Sequence, residues 1–253
     1  MESSIRLERL DDGIAIVTID RPPVNALRFS DVSALNDVFV ALADEPEEEL
    51  RVVILTGAGE RAFVAGADVN ELAALTPESA ETALELVQET CDRIYEFPCP
   101  VIAALNGPAL GSGVAFASVC DIRVASEKAT LGLPEINVGV MGGSKHLARL
   151  LPQGRTRLMM YTAWRVNAQE MLQFGVVESV VKPGELLEES LRIAREIASK
   201  LPVAVRLAKR GLNRTESMAL REGYAYECEL TAELRRDPRS AEAARSFFDR
   251  SGR

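Results

Sequence analysis

The clearest signal along the chain is a set of short, almost unbroken apolar runs. Ile14–Ile19 (IAIVTI) and Val52–Thr56 (VVILT) are β-branched and too short for helices, which predicts strands buried on both faces. Val101–Leu105 (VIAAL) and Val176–Val181 (VVESVV) predict two more. Between the first two runs the period changes. Val32, Leu35, Val38, Phe39 and Leu42 fall at helical spacing and predict a helix over Ser30–Ala43, with Ser30 or Asp31 as its N-cap. Strand, helix, strand predicts a parallel crossover.

A second helix is predicted from Thr76-Pro77-Glu78 to about Glu96, turning Ala83, Leu86, Val87 and Thr90 inward and ending before Pro98. A Gly-rich turn, Gly107–Gly113, then feeds a short apolar helix, Val114–Cys120, followed by extended pieces at Asp121–Ala125 and Ala129–Leu133. From Gly184 onward the patterns are helical: Leu186–Leu201, Val203–Asn213, Ser217–Arg236 and Arg239–Asp249. The fold class is therefore α/β, becoming all-helical near Leu201-Pro202, with no sequence repeat or low-complexity tract.

Composition narrows the function. The 253 residues are 47% hydrophobic and 26% charged, an ordinary globular balance. A formal charge of −9 argues against a nucleic-acid partner, which needs clustered excess Lys and Arg, but leaves room for an anionic small ligand held by a few local cations. Cys91, Cys99, Cys120 and Cys228 form no C-x-x-C pair, and His146 is the only histidine, so no metal site is expected. Such cysteines suit a reducing compartment, the cytoplasm. Met1–Asp11 lacks a basic stretch leading into an apolar one, so no signal peptide is expected. The uncharged stretch Pro98–Cys120 is long enough to span a bilayer, but Asn106-Gly107-Pro108 and Gly111-Ser112-Gly113 break it twice. A buried strand, turn and helix is the better reading, with no membrane partner.

Two turns lead from a strand into a helix: Ala62-Phe63-Val64-Ala65-Gly66-Ala67-Asp68 and Asn106–Gly113. Free backbone N–H groups at such a helix start stabilise negative charge, and two that converge can form an oxyanion hole. The alternative is that small residues there merely allow tight strand–helix packing. Neither turn is a phosphate loop, since G-x-x-x-x-G-K-[ST] and G-x-G-x-x-G are both absent. Glu135, in Leu131–Gly139 (LGLPEINVG), is the only ionisable residue between Lys128 and Lys145. A carboxyl in so apolar a stretch has its pKa raised by desolvation and suits a proton carrier. The competing reading is a turn cap or an Arg partner.

Together, AFVAGADVNEL, VIAALNGPALGSG with CDIRVAS, and LPEINVGV resemble the crotonase (enoyl-CoA hydratase/isomerase) superfamily, from about Ile14 to about Phe248. The resemblance implies a crotonase-like spiral of ββα units over residues 1–200 and a C-terminal helical oligomerisation region over 201–253. It implies homotrimers or homohexamers, an acyl-CoA substrate, and no cofactor beyond the coenzyme A of that substrate. Its shared chemistry is stabilisation of an enolate formed from a thioester.

Carried onto this chain, the resemblance assigns oxyanion-hole amides to Ala67 and Ser112, where the family usually has Gly at the second position. Ala65, Gly66 and Asp68 would lie along the CoA and thioester path, with Ala26 and Leu27 near the CoA moiety. Asp68 reads more simply as the N-cap of a helix over Val69–Ala74. Arg28 and Arg250 are candidate partners of CoA phosphates, or plain solvated cations. Hydratases of the family use two glutamates. Ala115 stands at the first position, and Glu135 at the second, with the Gly143 amide as its holder. One carboxyl suits double-bond isomerisation slightly better than hydration, because adding water with a single acid/base forfeits on the order of 10²–10⁴-fold. Lys145 and His146 replace small residues; one of them touches substrate or supplies a replacement proton carrier, or both face solvent or a subunit contact. Two alternatives of another class are a non-catalytic acyl-CoA binder and a serine hydrolase using Ser112 with His146. Against the hydrolase, Leu110 and Val114 stand where a G-x-S-x-G elbow needs glycine.

Overall fold

The computed structural model describes residues 3–251, and their side chains apart from residues 244 and 246–251. Its strands are β1 (Ile5–Leu10), β2 (Ile14–Ile19), β3 (Val52–Gly57), β4 (Val101–Leu105), β5 (Ala109–Leu110), β6 (Ile122–Ser126), β7 (Thr130–Gly132), β8 (Arg165–Asn167) and β9 (Ser179–Val181). The first helices are α1 (Phe29–Ala43), α2 (Val69–Ala74), α3 (Pro77–Tyr95), α4 (Ser112–Val119) and α5 (Ser144–Leu147). They are followed by α6 (Gln153–Thr162), α7 (Ala168–Gln173), α8 (Leu186–Ala198), α9 (Pro202–Thr215), α10 (Leu220–Leu234) and α11 (Pro238–Ser251). Six strands form one sheet in the order β1-β2-β3-β4-β6-β9, parallel except for the β1–β2 hairpin. A smaller sheet runs β5-β7-β8.

The apolar runs are continuous because the main sheet is covered on both sides. Ala15, Val17, Ile19, Val53, Leu55, Val101, Ala103 and Leu105 enter one core with α1, α3, α4 and the small sheet. The alternate residues, Ile14, Ile16, Val52, Ile54, Ile102 and Ala104, enter a second core closed by Leu186, Ala194 and Ala198 of α8. A period of two is thus present, but both phases are apolar. Phe39 of α1 meets Phe97 edge to face, ring centroids 5.2 Å apart.

Several boundaries differ from the pattern's prediction. β1 was not anticipated because IRLERL is mostly exposed; it is an edge strand blunted by charge. The α1 N-cap is Arg28, not Ser30 or Asp31; Asp31 instead sits at the third helical position and accepts the Arg28 N–H at 2.9 Å. Only Ser179–Val181 of the Val176–Val181 run is strand, because Glu178 turns its carboxylate back to the Arg123 N–H at 2.6 Å. α4 begins at Ser112 rather than Val114. The segment α6-β8-α7 carries no long periodic pattern; α7 is defined by a reciprocal cap between Asn167 and Glu170.

The uncharged stretch from Pro98 to Cys120 folds as β4, β5 and α4, and no helix among the described residues is long and apolar enough to cross a membrane. The four cysteines are unpaired, three of them buried and Cys228 exposed. Helix α9 is fastened to the sheet by Lys209, which is 6% exposed and donates to the Cys99 carbonyl at 3.1 Å and to Asp121 at 2.7 Å.

Candidate active site

The two Gly-rich turns leave the C-terminal ends of β3 and β4 and are joined by main-chain bridges. The Leu27 N–H donates to the Gly66 carbonyl at 2.8 Å, and the Asp68 N–H donates to the Leu27 carbonyl at 2.7 Å. Successive amides of an extended segment point to opposite sides, so the Ala67 N–H is turned away from Leu27. Among the described residues it donates to no backbone or side-chain acceptor. A second bridge pairs Val64 with Ala109, the Leu110 N–H donating to the Val64 carbonyl at 2.9 Å. The next residues enter α4, and Ser112, its first residue, has no earlier turn to receive its N–H. Two free amides thus belong to two turns that are tied together.

Gly111 is where these turns meet Glu135. Its φ is +56°, and a Cβ built there would lie 2.3 Å from Glu135 Oε1 and 3.6 Å from the Gly66 Cα. Only glycine lets the carboxyl and both turns approach so closely. Glu135 occupies a short 3₁₀ turn, Pro134–Val138, directly after β7. Burial pushes its carboxyl above the usual 4.5, opposed only by its own backbone amide; no neighbouring charge contributes. Its Oε2 is buried and has no hydrogen-bond partner among the described residues, and the same holds for Ser112 Oγ. Neither an Arg partner nor a capping role accounts for this carboxyl.

The other anticipated residues fall into distinct places. Ala115 is buried one turn into α4, with no charged group of its own to offer the site. Gly143 does not hold Glu135 by a hydrogen bond; its Cα side faces the Gly111 carbonyl, 3.3 Å from a Cβ built there. The carboxyl is instead set by its own 3₁₀ turn against Gly111. Asp68 caps α2, accepting the Asn70 N–H at 2.9 Å, and pairs with Arg21 at 2.8 Å. Arg28 is engaged by Asp31 at 2.9 Å, so its charge is largely matched within α1's first turn. Ala26 gives its carbonyl to Arg21. His146 is half-buried and desolvation lowers its pKa below 6.5, against the pull of Asp92; it makes no hydrogen bond to Ser112 among the described residues. Lys145 is exposed. The Arg250 side chain lies outside the described residues. No group of three or more His, Cys, Asp or Glu among the described residues could hold a metal ion.

Three positioning groups escaped the sequence reading. Arg21 clamps the Ala26 carbonyl, Asp68 and Asp31, bracketing the Leu27–Ala67 bridge. Asn25 and Asn106 both donate to the Ala62 carbonyl of the first turn, at 2.8 and 2.9 Å. Asn106 also donates to the Gly59 carbonyl at 2.8 Å and accepts the Gly57 N–H at 3.2 Å. The only available sign was an amide side chain inside an uncharged run. Asn106→Ala is expected to cost about 2 kcal/mol of stability, measured as a lower urea midpoint at unchanged slope. Asn106→Asp, similar in shape but lacking the two donors, should lose as much.

Comparison with known proteins identifies the family and the fold. The family model described as enoyl-CoA hydratase/isomerase matches residues 9–252. A short-chain-enoyl-CoA hydratase of Clostridium acetobutylicum is 36% identical over 94% of this chain and 92% of its own. A crotonyl-CoA hydratase of Syntrophomonas wolfei is 39% identical over 83% and 81%. The crystal structure of an enoyl-CoA hydratase from Bacillus anthracis superposes with a TM-score of 0.93 at 34% identity, covering 98% of this chain and 96% of that one. The chain therefore has the crotonase fold and belongs to the enoyl-CoA hydratase/isomerase family, whose members act on acyl-CoA thioesters.

Proposed function

We propose that this enzyme moves a proton on an enoyl-CoA thioester through an enolate, with Glu135 as its single strong acid/base and double-bond isomerisation as its preferred reaction. In this reading the amides of Ala67 and Ser112 receive the thioester oxygen, while Ala26, Leu27, Ala65, Gly66 and Asp68 border the CoA and thioester path. The Glu135 carboxylate removes a proton from C2 of a 3-enoyl-CoA. The C–H electron pair spreads into a dienolate whose charge rests on the thioester oxygen. The new carboxylic acid then returns the proton to C4, leaving the conjugated 2-enoyl-CoA with no other reactant consumed.

The observation that carries this reading is the buried Glu135 carboxyl, one oxygen against Gly111 and the other unpartnered, with no second charged group influencing it. Ile136, Val138 and Met141 stand exposed beside it and suit an acyl chain. Exposed Leu212, Leu220 and Tyr224 on α9 and α10 support assembly into a trimer or hexamer as part of the same proposal.

Hydration is the second reading, favoured by the hydratase names of the relatives. Incubation with 3-enoyl-CoA separates the two. A gain of conjugated thioester absorbance without 3-hydroxyacyl-CoA supports isomerisation; stoichiometric 3-hydroxyacyl-CoA assigns hydration. Proton removal requires the ionised carboxyl, so kcat/KM should rise with pH through the pKa of Glu135. Because burial raises that pKa, the acid limb belongs above 4.5. A pH–rate profile already flat at pH 5 would contradict the assignment.

A further inference from the structure

Two buried polar atoms, on residues that flank or touch Gly111, lack any partner among the described residues: Glu135 Oε2, used by the mechanism above, and Ser112 Oγ, which is not. A buried hydroxyl that the protein itself leaves unpaired is costly, and it is free to bond a ligand group that reaches it. Serines near a helix start ordinarily spend the hydroxyl on a backbone N–H of the first turn. Here the N-cap is Gly111, no side chain caps α4, and the Ser112 hydroxyl stays free. The Cα–Cβ bond of a helical residue tilts toward the helix N-terminus. As the first residue of α4, Ser112 therefore has its Cα–Cβ bond tilted toward the end where its own amide is unpaired and Gly111 meets Glu135.

We infer that Ser112 is a catalytic residue through its side chain, whose hydroxyl is a third donor to the thioester oxygen beside the amides of Ala67 and Ser112. The inference rests on the proposed function. A donor aimed at that oxygen interacts more strongly with the enolate than with the neutral carbonyl, so its contribution falls on the rate of C2 deprotonation rather than on binding. A residue with an inert side chain at position 112 would keep both amides and lose this donor.

Ser112→Gly and Ser112→Ala test the inference, because neither removes a main-chain N–H. With butyryl-CoA in deuterium oxide, both variants should exchange the C2 protons roughly 100-fold more slowly than the parent, while Kd changes by less than about threefold. The carbonyl band of bound, carbonyl-labelled butyryl-CoA should sit at lower frequency than in solution, and should move part of the way back in each variant. Unchanged exchange, or slowed exchange with an unmoved band, would overturn the inference; the latter would assign the hydroxyl to Glu135 instead. Failure of the underlying reading is seen separately, as C2 exchange that persists in Glu135→Gln. Absence of both exchange and a shifted band in the parent protein would remove the reading and the inference together.

Discussion

Glu135→Gln should reduce turnover of enoyl-CoA by at least roughly 10²–10⁴-fold while leaving thioester affinity nearly unchanged. The amide preserves the shape of the carboxyl against Gly111 but can neither take a proton from C2 nor return one. Rates fall while Kd holds, since the proposed contacts to CoA and to the thioester oxygen are made by other residues. Near-intact turnover would reject the assignment and pass the role to Lys145 or His146. The same variant carries a stability signature. Burial raises the Glu135 pKa in the folded chain above its ordinary 4.5. Between those two values the native state binds a proton that the unfolded chain has released, so this group's favourable contribution is complete below 4.5 and is lost as pH rises. Glutamine has no such proton to lose. Urea midpoints should therefore coincide near pH 4 and favour Glu135→Gln at pH 7. A parent protein that is the more stable at pH 7 would show that the carboxylate is held by a partner after all.

Gly111→Ala is expected to cost roughly 100-fold in kcat and only about 1–2 kcal/mol in stability. The methyl group would overlap Glu135 Oε1, at 2.3 Å, and L-residues are strained at a φ of +56°. The carboxyl is the free end of a flexible side chain, so it yields, and the strain is relieved by moving the proposed base out of line. Kinetics and thermal melts on one preparation separate the two effects. Parallel losses from general unfolding would contradict the local account.

Much of this arrangement was legible because its causes are local. The β-branched runs of β2, β3 and β4 and the 3.6-residue period of α1 and α3 follow directly from which faces they bury. Glu135 stood out as one ionisable residue in an apolar stretch, and the structure finds it half-buried, its Oε2 enclosed and no charged neighbour shifting it. What stayed hidden depends on contacts between distant segments. The double grip of Asn25 and Asn106 on the Ala62 carbonyl links residues far apart in the chain, and no spacing encodes it. β1 was obscured because an edge strand has charged positions on an exposed surface. The Glu135–Gly143 hydrogen bond suggested by resemblance is absent among the described residues, because a 3₁₀ turn aims the carboxyl at Gly111.

The anchoring of α9 bears on how the chain can be divided. Lys209 reaches in from beyond residue 200 and neutralises Asp121, the same carboxylate that accepts the Val101 N–H at 2.7 Å where β4 begins. Tyr95 and Asn213 exchange hydrogen bonds across the same seam, at 3.1 and 2.6 Å. A fragment stopped at residue 200 would strand an anion under the first amide of a central strand and uncover the Cys99 carbonyl. The helical tail thus supplies a counter-ion to the sheet, and excising it is expected to destabilise the part that carries Glu135 rather than to isolate it.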